Sequence, residues 1–117
     1  MEKDLKKRTK NFALKVIGIM NEISNRNAGY DLKRQLFRSG TSVGANYRAA
    51  CIARSKADFI SKIAIAQEEA DESCYWLELL EESGLGKEEV VAPIRKEASE
   101  LTAILTASIL TAKKNKD

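Results

Sequence analysis

The side chains able to do chemistry in this sequence are carboxylates, lysines and two thiols, because it contains no histidine. The densest set is the run Glu68-Glu69-Ala70-Asp71-Glu72. Carboxylates so placed invite a metal pair of the kind built inside helix bundles. Such sites also need Glu-x-x-His pairs from two helices, which this chain lacks. The same absence removes the commonest general base, the commonest zinc ligand and every Ser-His or Cys-His nucleophile pair. No Gly-x-Ser-x-Gly elbow, glycine-rich phosphate loop or lysine in an apolar pocket stands out. Cys51 and Cys74 each sit among apolar residues. Two lone thiols make no metal site and read as small core hydrophobes in a reducing cytosol. The expectation is a protein that is not an enzyme and uses no metal or cofactor.

One polar constellation remains. Gln35, Ser39, Ser42 and Asn46 recur at i, i+4, i+7 and i+11, which places them along one ridge of a helix. This is either a ligand or catalytic cluster or, more simply, a satisfied polar layer that fixes helix register. Asn46 near a core face needs a partner, and Glu69 is a candidate across the pair of helices.

The elements that must carry these residues are helices. The chain has 117 residues, 44% hydrophobic and 32% charged, with a single proline and six glycines. That make-up suits one all-α domain spanning 1–117. Apolar residues recur at helical spacing over about 4–25 (Leu5, Phe12, Val16, Ile19, Met20, Ile23) and 30–52 (Leu32, Leu36, Val43, Tyr47, Ala50). They do so again over 56–82 and 87–113. Gly29 breaks the first pair and is free to take positive φ, Ser55 with Asp58 resembles a capping box, and Ser83-Gly84-Leu85-Gly86 stops the third helix. Pro93 either kinks the fourth helix or sets residues 87–91 apart as a short turn. Four such lengths with short connections predict an antiparallel up-down-up-down four-helix bundle. Residues 1–15 have no apolar stretch of the signal-peptide kind, and the uncharged run Leu101–Ala112 is too short to span a bilayer. A cytoplasmic protein with no membrane partner is expected.

Two features exceed what a lone bundle needs. Ile65, Trp76 and Leu79 fall away from the main stripe of the third helix, as Leu110 does on the fourth. They form a second packing face, either for further copies of the chain or for a seam inside the monomer. Gly40 and Gly44 also thin the second helix, at about 1 kcal/mol each relative to alanine, which calls for a close neighbour. The second feature is charge. The formal net of +3 divides unevenly once the bundle is laid out: residues 1–15, 43–65 and 103–117 carry +9, and the remainder −6. Lys3, Lys6, Lys7, Arg8, Lys10, Arg48, Arg54, Lys56, Lys113 and Lys114 would gather at one end, the electrostatic footprint of a phosphate-backbone binder for RNA or DNA. Solvated helix ends kept basic for solubility are the alternative. No aromatic residue interleaves with these lysines, so base stacking of the single-strand-binding kind is not indicated. A scaffold whose partner is a protein is the competing functional class.

The run Gln35-Leu36-Phe37-Arg38-Ser39-Gly40-Thr41-Ser42-Val43-Gly44-Ala45-Asn46-Tyr47-Arg48-Ala49-Ala50, with Ser55-Lys56-Ala57-Asp58-Phe59-Ile60, resembles the bacterial four-helix proteins related to 23S rRNA intervening-sequence proteins. Ile65-Ala66-Gln67-Glu68-Glu69-Ala70-Asp71-Glu72 and Tyr75-Trp76-Leu77-Glu78-Leu79-Leu80 match the same family. The resemblance implies a left-handed antiparallel bundle assembled as a homopentamer. A relative of the family is the accessory variability determinant of diversity-generating retroelements, which binds nucleic acid and assists a reverse transcriptase. The resemblance implies no enzyme. Its characteristic positions fall on Arg38, Ser39, Ser42, Asn46, Ala50, Ser55, Phe59, Glu69 and Trp76.

Overall fold

The computed structural model describes residues 4–115. Four helices, α1 (Leu5–Gly18), α2 (Gly29–Cys51), α3 (Lys56–Glu82) and α4 (Glu88–Lys114), pack side by side, with a short 3-10 turn at Met20–Glu22 and no strand among the described residues. Together they make a rod of 51 × 20 × 19 Å. Its core runs the full length, from Leu5 and Leu105 through Phe12, Leu36 and Leu77 to Leu85.

The first helix is shorter than its apolar spacing predicts. After Gly18 the Ile19 N–H is shared between the Lys15 and Val16 carbonyls at 3.2 and 3.3 Å. The next two bonds, Glu22 N to Ile19 O and Ile23 N to Met20 O, both reach back three residues. The tighter turn still delivers Ile19 and Ile23 to the core, so their burial does not require α-helix. Ile23 is then extended, and the Ser24 N–H bonds the Leu85 carbonyl at 3.0 Å, joining the α1–α2 and α3–α4 connections. Asn27 (φ 52°), rather than Gly29, takes the left-handed backbone. Gly29 serves another purpose: a Cβ there would lie 1.8 Å from the Ser24 carbonyl oxygen.

The other helices begin and end within one residue of expectation. Ser55 caps α3 by accepting the Asp58 N–H at 3.0 Å, and Gly84 (φ 78°) ends it in the left-handed conformation that glycine adopts without strain. Pro93 lies inside α4, which is a single helix from Glu88 onward, so residues 87–91 are not a separate turn. The glycines of α2 have their close neighbour in α1. A Cβ on Gly40 would come within 2.9 Å of Val16 Cγ2, and one on Gly44 within 3.3 Å of Thr9 Oγ1. Only one cysteine behaves as a core residue. Cys74 is half-buried, and burial together with the Glu78 carboxylate pushes its thiol pKa up. Cys51, at the last turn of α2, is exposed, contrary to the reading of both thiols as core hydrophobes.

Candidate nucleic-acid interface

The basic side chains come from the beginning of α1, the α2–α3 connection and the end of α4. Thr9, near the start of α1, meets Gly44, near the end of α2. Gln67, in the first half of α3, donates to Thr106 Oγ1 at 2.9 Å in the last third of α4. Lys6, Lys7 and Lys10 lie along the side of the rod, where Arg8 meets Glu97 and Glu100 in the first half of α4, and the contacts above set Arg48, Arg54, Lys113 and Lys114 toward one end, all seven exposed. Lys56 is half-buried there. Lys3 lies outside the described residues. Lys62, nearby on α3, faces Asp58 at 4.0 Å.

Arg8 has a different role from the lysines around it. Its Nε and Nη2 donate to both carboxylate oxygens of Glu97 at 2.8 and 2.9 Å, and Nη2 reaches Glu100 at 2.7 Å. The hydrogen bond to Glu97 is the main cause of a guanidinium pKa above its ordinary value. This fork pins α1 to α4, so Arg8 is half-buried and its charge is matched inside the molecule. The acidic half is organised in the same manner. Arg38 on α2 spans Glu69 at 3.2 Å and Glu72 on α3, and Arg95 on α4 holds Glu81 at 2.7 Å.

The polar ridge of α2 does not act as one unit. Ser39 and Ser73 are fully buried, with their hydroxyls 2.8 Å apart, and form a polar contact between α2 and α3. Asn46 does not reach Glu69. Its Nδ2 donates to the Ser42 carbonyl one turn back at 2.9 Å, while the longer Arg38 takes the Glu69 carboxylate. Gln35 is exposed and Ser42 half-buried, and both line an open groove on the outside of α2. No three Cys, Asp or Glu side chains converge as a metal site among the described residues.

On the proposed second face, Leu110 is 56% exposed and Ile65 36%, whereas Trp76 and Leu79 are half-buried. The Trp76 ring packs against the core edge, and its Nε1 donates to Glu72 Oε2 at 3.1 Å. Sequence reasoning missed a further exposed set on α1 and α2: Leu14, Ile17, Tyr30 and Phe37. Tyr30, Arg34 and Phe37 follow i, i+4 and i+7. That spacing is legible in the sequence.

The 23S rRNA-intervening sequence protein family matches residues 1–107. Among solved structures, the chain is similar to a protein with unknown function from the S23 ribosomal protein family of Bacteroides thetaiotaomicron VPI-5482. The two share 36% identity over 90% of this chain and 97% of that one, with a TM-score of 0.82. No curated protein matches the chain. By sequence and by fold alike, the chain belongs to the 23S rRNA-intervening sequence protein family.

Proposed function

We propose that this protein is a cytoplasmic, non-enzymatic homo-oligomer, an antiparallel up-down-up-down bundle that binds the phosphate backbone of RNA or DNA through its basic end. The observation that carries this reading is a set of exposed cations, Lys6, Lys7, Lys10, Arg48, Arg54, Lys113 and Lys114. No ion pair among the described residues joins any of them to a carboxylate. Five carboxylates of the acidic half, Glu69, Glu72, Glu81, Glu97 and Glu100, are engaged with Arg8, Arg38 and Arg95. Unpaired ammonium groups in water are solvated cheaply, and they release counterions when a polyanion replaces their anions.

The oligomer has a physical argument of its own. Exposed apolar side chains occur on different helices, Leu14 and Ile17 on α1, Ile65 on α3 and Leu110 on α4. A ring closed by head-to-tail contacts uses two unlike faces, as a homopentamer would. Side-by-side copies would also merge their basic ends into one larger surface. Light scattering tests the assembly, and a species of 13.0 kDa would contradict it. A pull-down before and after nuclease treatment tests the partner: loss of bound material after digestion supports nucleic acid, and a protein retained after digestion contradicts it.

A further inference from the structure

We propose that the groove between the α1–α2 connection and the outer face of α2 binds an unpaired nucleotide, its base stacked on Tyr30 or Phe37 and its phosphate held by Arg34 and Lys33. The proposal rests on the nucleic-acid reading above but concerns a different place and a different chemistry. The groove has a volume of about 660 Å³, within the range of small-ligand clefts. It is built on one stripe of α2, where Tyr30, Arg34, Phe37 and Thr41 succeed one another at helical spacing. The two rings are therefore about 10 Å apart along the axis, with a cation between them.

Each part of the stripe suits a nucleotide better than it suits the helix. Tyr30 is 57% and Phe37 49% exposed, so about half of each side chain remains in water unless something covers it. The Arg34 guanidinium carbon lies 5.9 Å from the centroid of the Tyr30 ring, an arrangement that steadies both side chains. No carboxylate pairs with Arg34 among the described residues. Lys33 Nζ donates to the Met20 carbonyl at 3.2 Å. That bond fixes the ammonium at the groove wall and leaves two of its donors for an anion. Asn21 and Gln35 line the groove and carry both donors and acceptors for a base edge. Arg38 also lines it, but its guanidinium is held by Glu69 and Glu72, so it is not assigned to the phosphate. An aromatic–cation–aromatic row with adaptable amides is how sequence-tolerant single-strand sites are made.

The test is fluorescence anisotropy with a labelled oligouridylate of about ten nucleotides and an RNA duplex of the same length. At least one of Tyr30→Ala and Phe37→Ala is expected to weaken oligouridylate binding roughly fivefold or more. Both should leave duplex affinity unchanged, and Phe37→Tyr should retain binding. Both positions are exposed, and circular dichroism verifies that the variants fold. Competition separates the sources: displacement by uridine monophosphate marks a site for the free nucleotide, and displacement by unlabelled oligouridylate alone marks a site for the strand. Either result keeps the stacked-nucleotide assignment. The proposal is overturned if both ring variants bind oligouridylate as the parent does. It is also overturned if Phe37→Ala lowers the mass by light scattering and weakens strand and duplex by the same factor, for then the groove seats a second copy. Lys6→Glu with Lys7→Glu provides the separate control. If duplex binding survives that reversal, the basic-end reading fails, while the groove is still judged by its strand-to-duplex ratio.

Discussion

Arginine and lysine divide the work at single positions in this molecule. Arg8, Arg38 and Arg95 lie between helices and present a planar fork to carboxylates, whereas the lysines of α1 and α4 remain in solvent. Arg8→Ala is therefore expected to lower stability by about 1–2 kcal/mol in urea denaturation. Lys10→Ala, nearby and exposed, should change it by less than about 0.5 kcal/mol. The thiols give a second contrast. Cys51 should react with iodoacetamide at neutral pH well before Cys74, as mass spectrometry of the labelled protein would show, because Cys51 is exposed, whereas Cys74 is half-buried and its thiolate is disfavoured by burial and Glu78. A thiol pKa raised on folding stabilises the fold below the ordinary thiol range, and this contribution is lost as pH rises through the folded value. Composition could not separate Arg8 from its lysine neighbours. Its partner Glu97 lies 89 residues away, and only the tertiary fold brings the two together. Asn46 shows the same limit, since sequence indicated that it needs a partner but not that its own backbone supplies one.

At the level of elements, the glycines of α2 set how closely α1 can lie. Gly40→Ala gains about 1 kcal/mol of helix propensity, but its Cβ meets Val16 at 2.9 Å. Overpacking of that kind costs about 1–3 kcal/mol. A net loss of stability is expected, measurable as a lower urea midpoint. Gly18→Ala, with nothing within 4 Å of the added carbon, should be neutral or stabilising by up to about 1 kcal/mol. Helices α2 and α4 were legible from their apolar periodicity, and α3 from its Ser55 cap and the glycines that follow it. The end of α1 was not, since the 3-10 turn and the extended Ile23 deliver the same side chains to the core as a continued helix would. Apolar spacing reports burial, and at this point burial does not distinguish the two backbones. The glycine requirement at position 29 was legible, but its cause was a steric contact with Ser24 rather than positive φ.

For the whole molecule, exposed apolar side chains on several helices and an uneven charge distribution are the properties that need explaining. If the first belong to a ring, Ile65→Glu and Leu110→Glu should each reduce the mass measured by light scattering while leaving helical content intact. Both side chains are exposed in the single chain, so neither change disturbs the core. The +3 net charge concealed the polarity until the helices were laid side by side, and Arg8 must be subtracted from the basic end because Glu97 and Glu100 answer it. The central claim, backbone binding through that end, is tested most directly by the affinity for a labelled RNA duplex as salt is raised. The account predicts that log K falls linearly with log salt, by about 0.9 per phosphate neutralised. It also predicts a shallower slope in the variant Lys6→Glu, Lys7→Glu, Lys113→Glu, Lys114→Glu. Binding that does not change with salt, no binding at low salt, or an unchanged slope in that variant would contradict it.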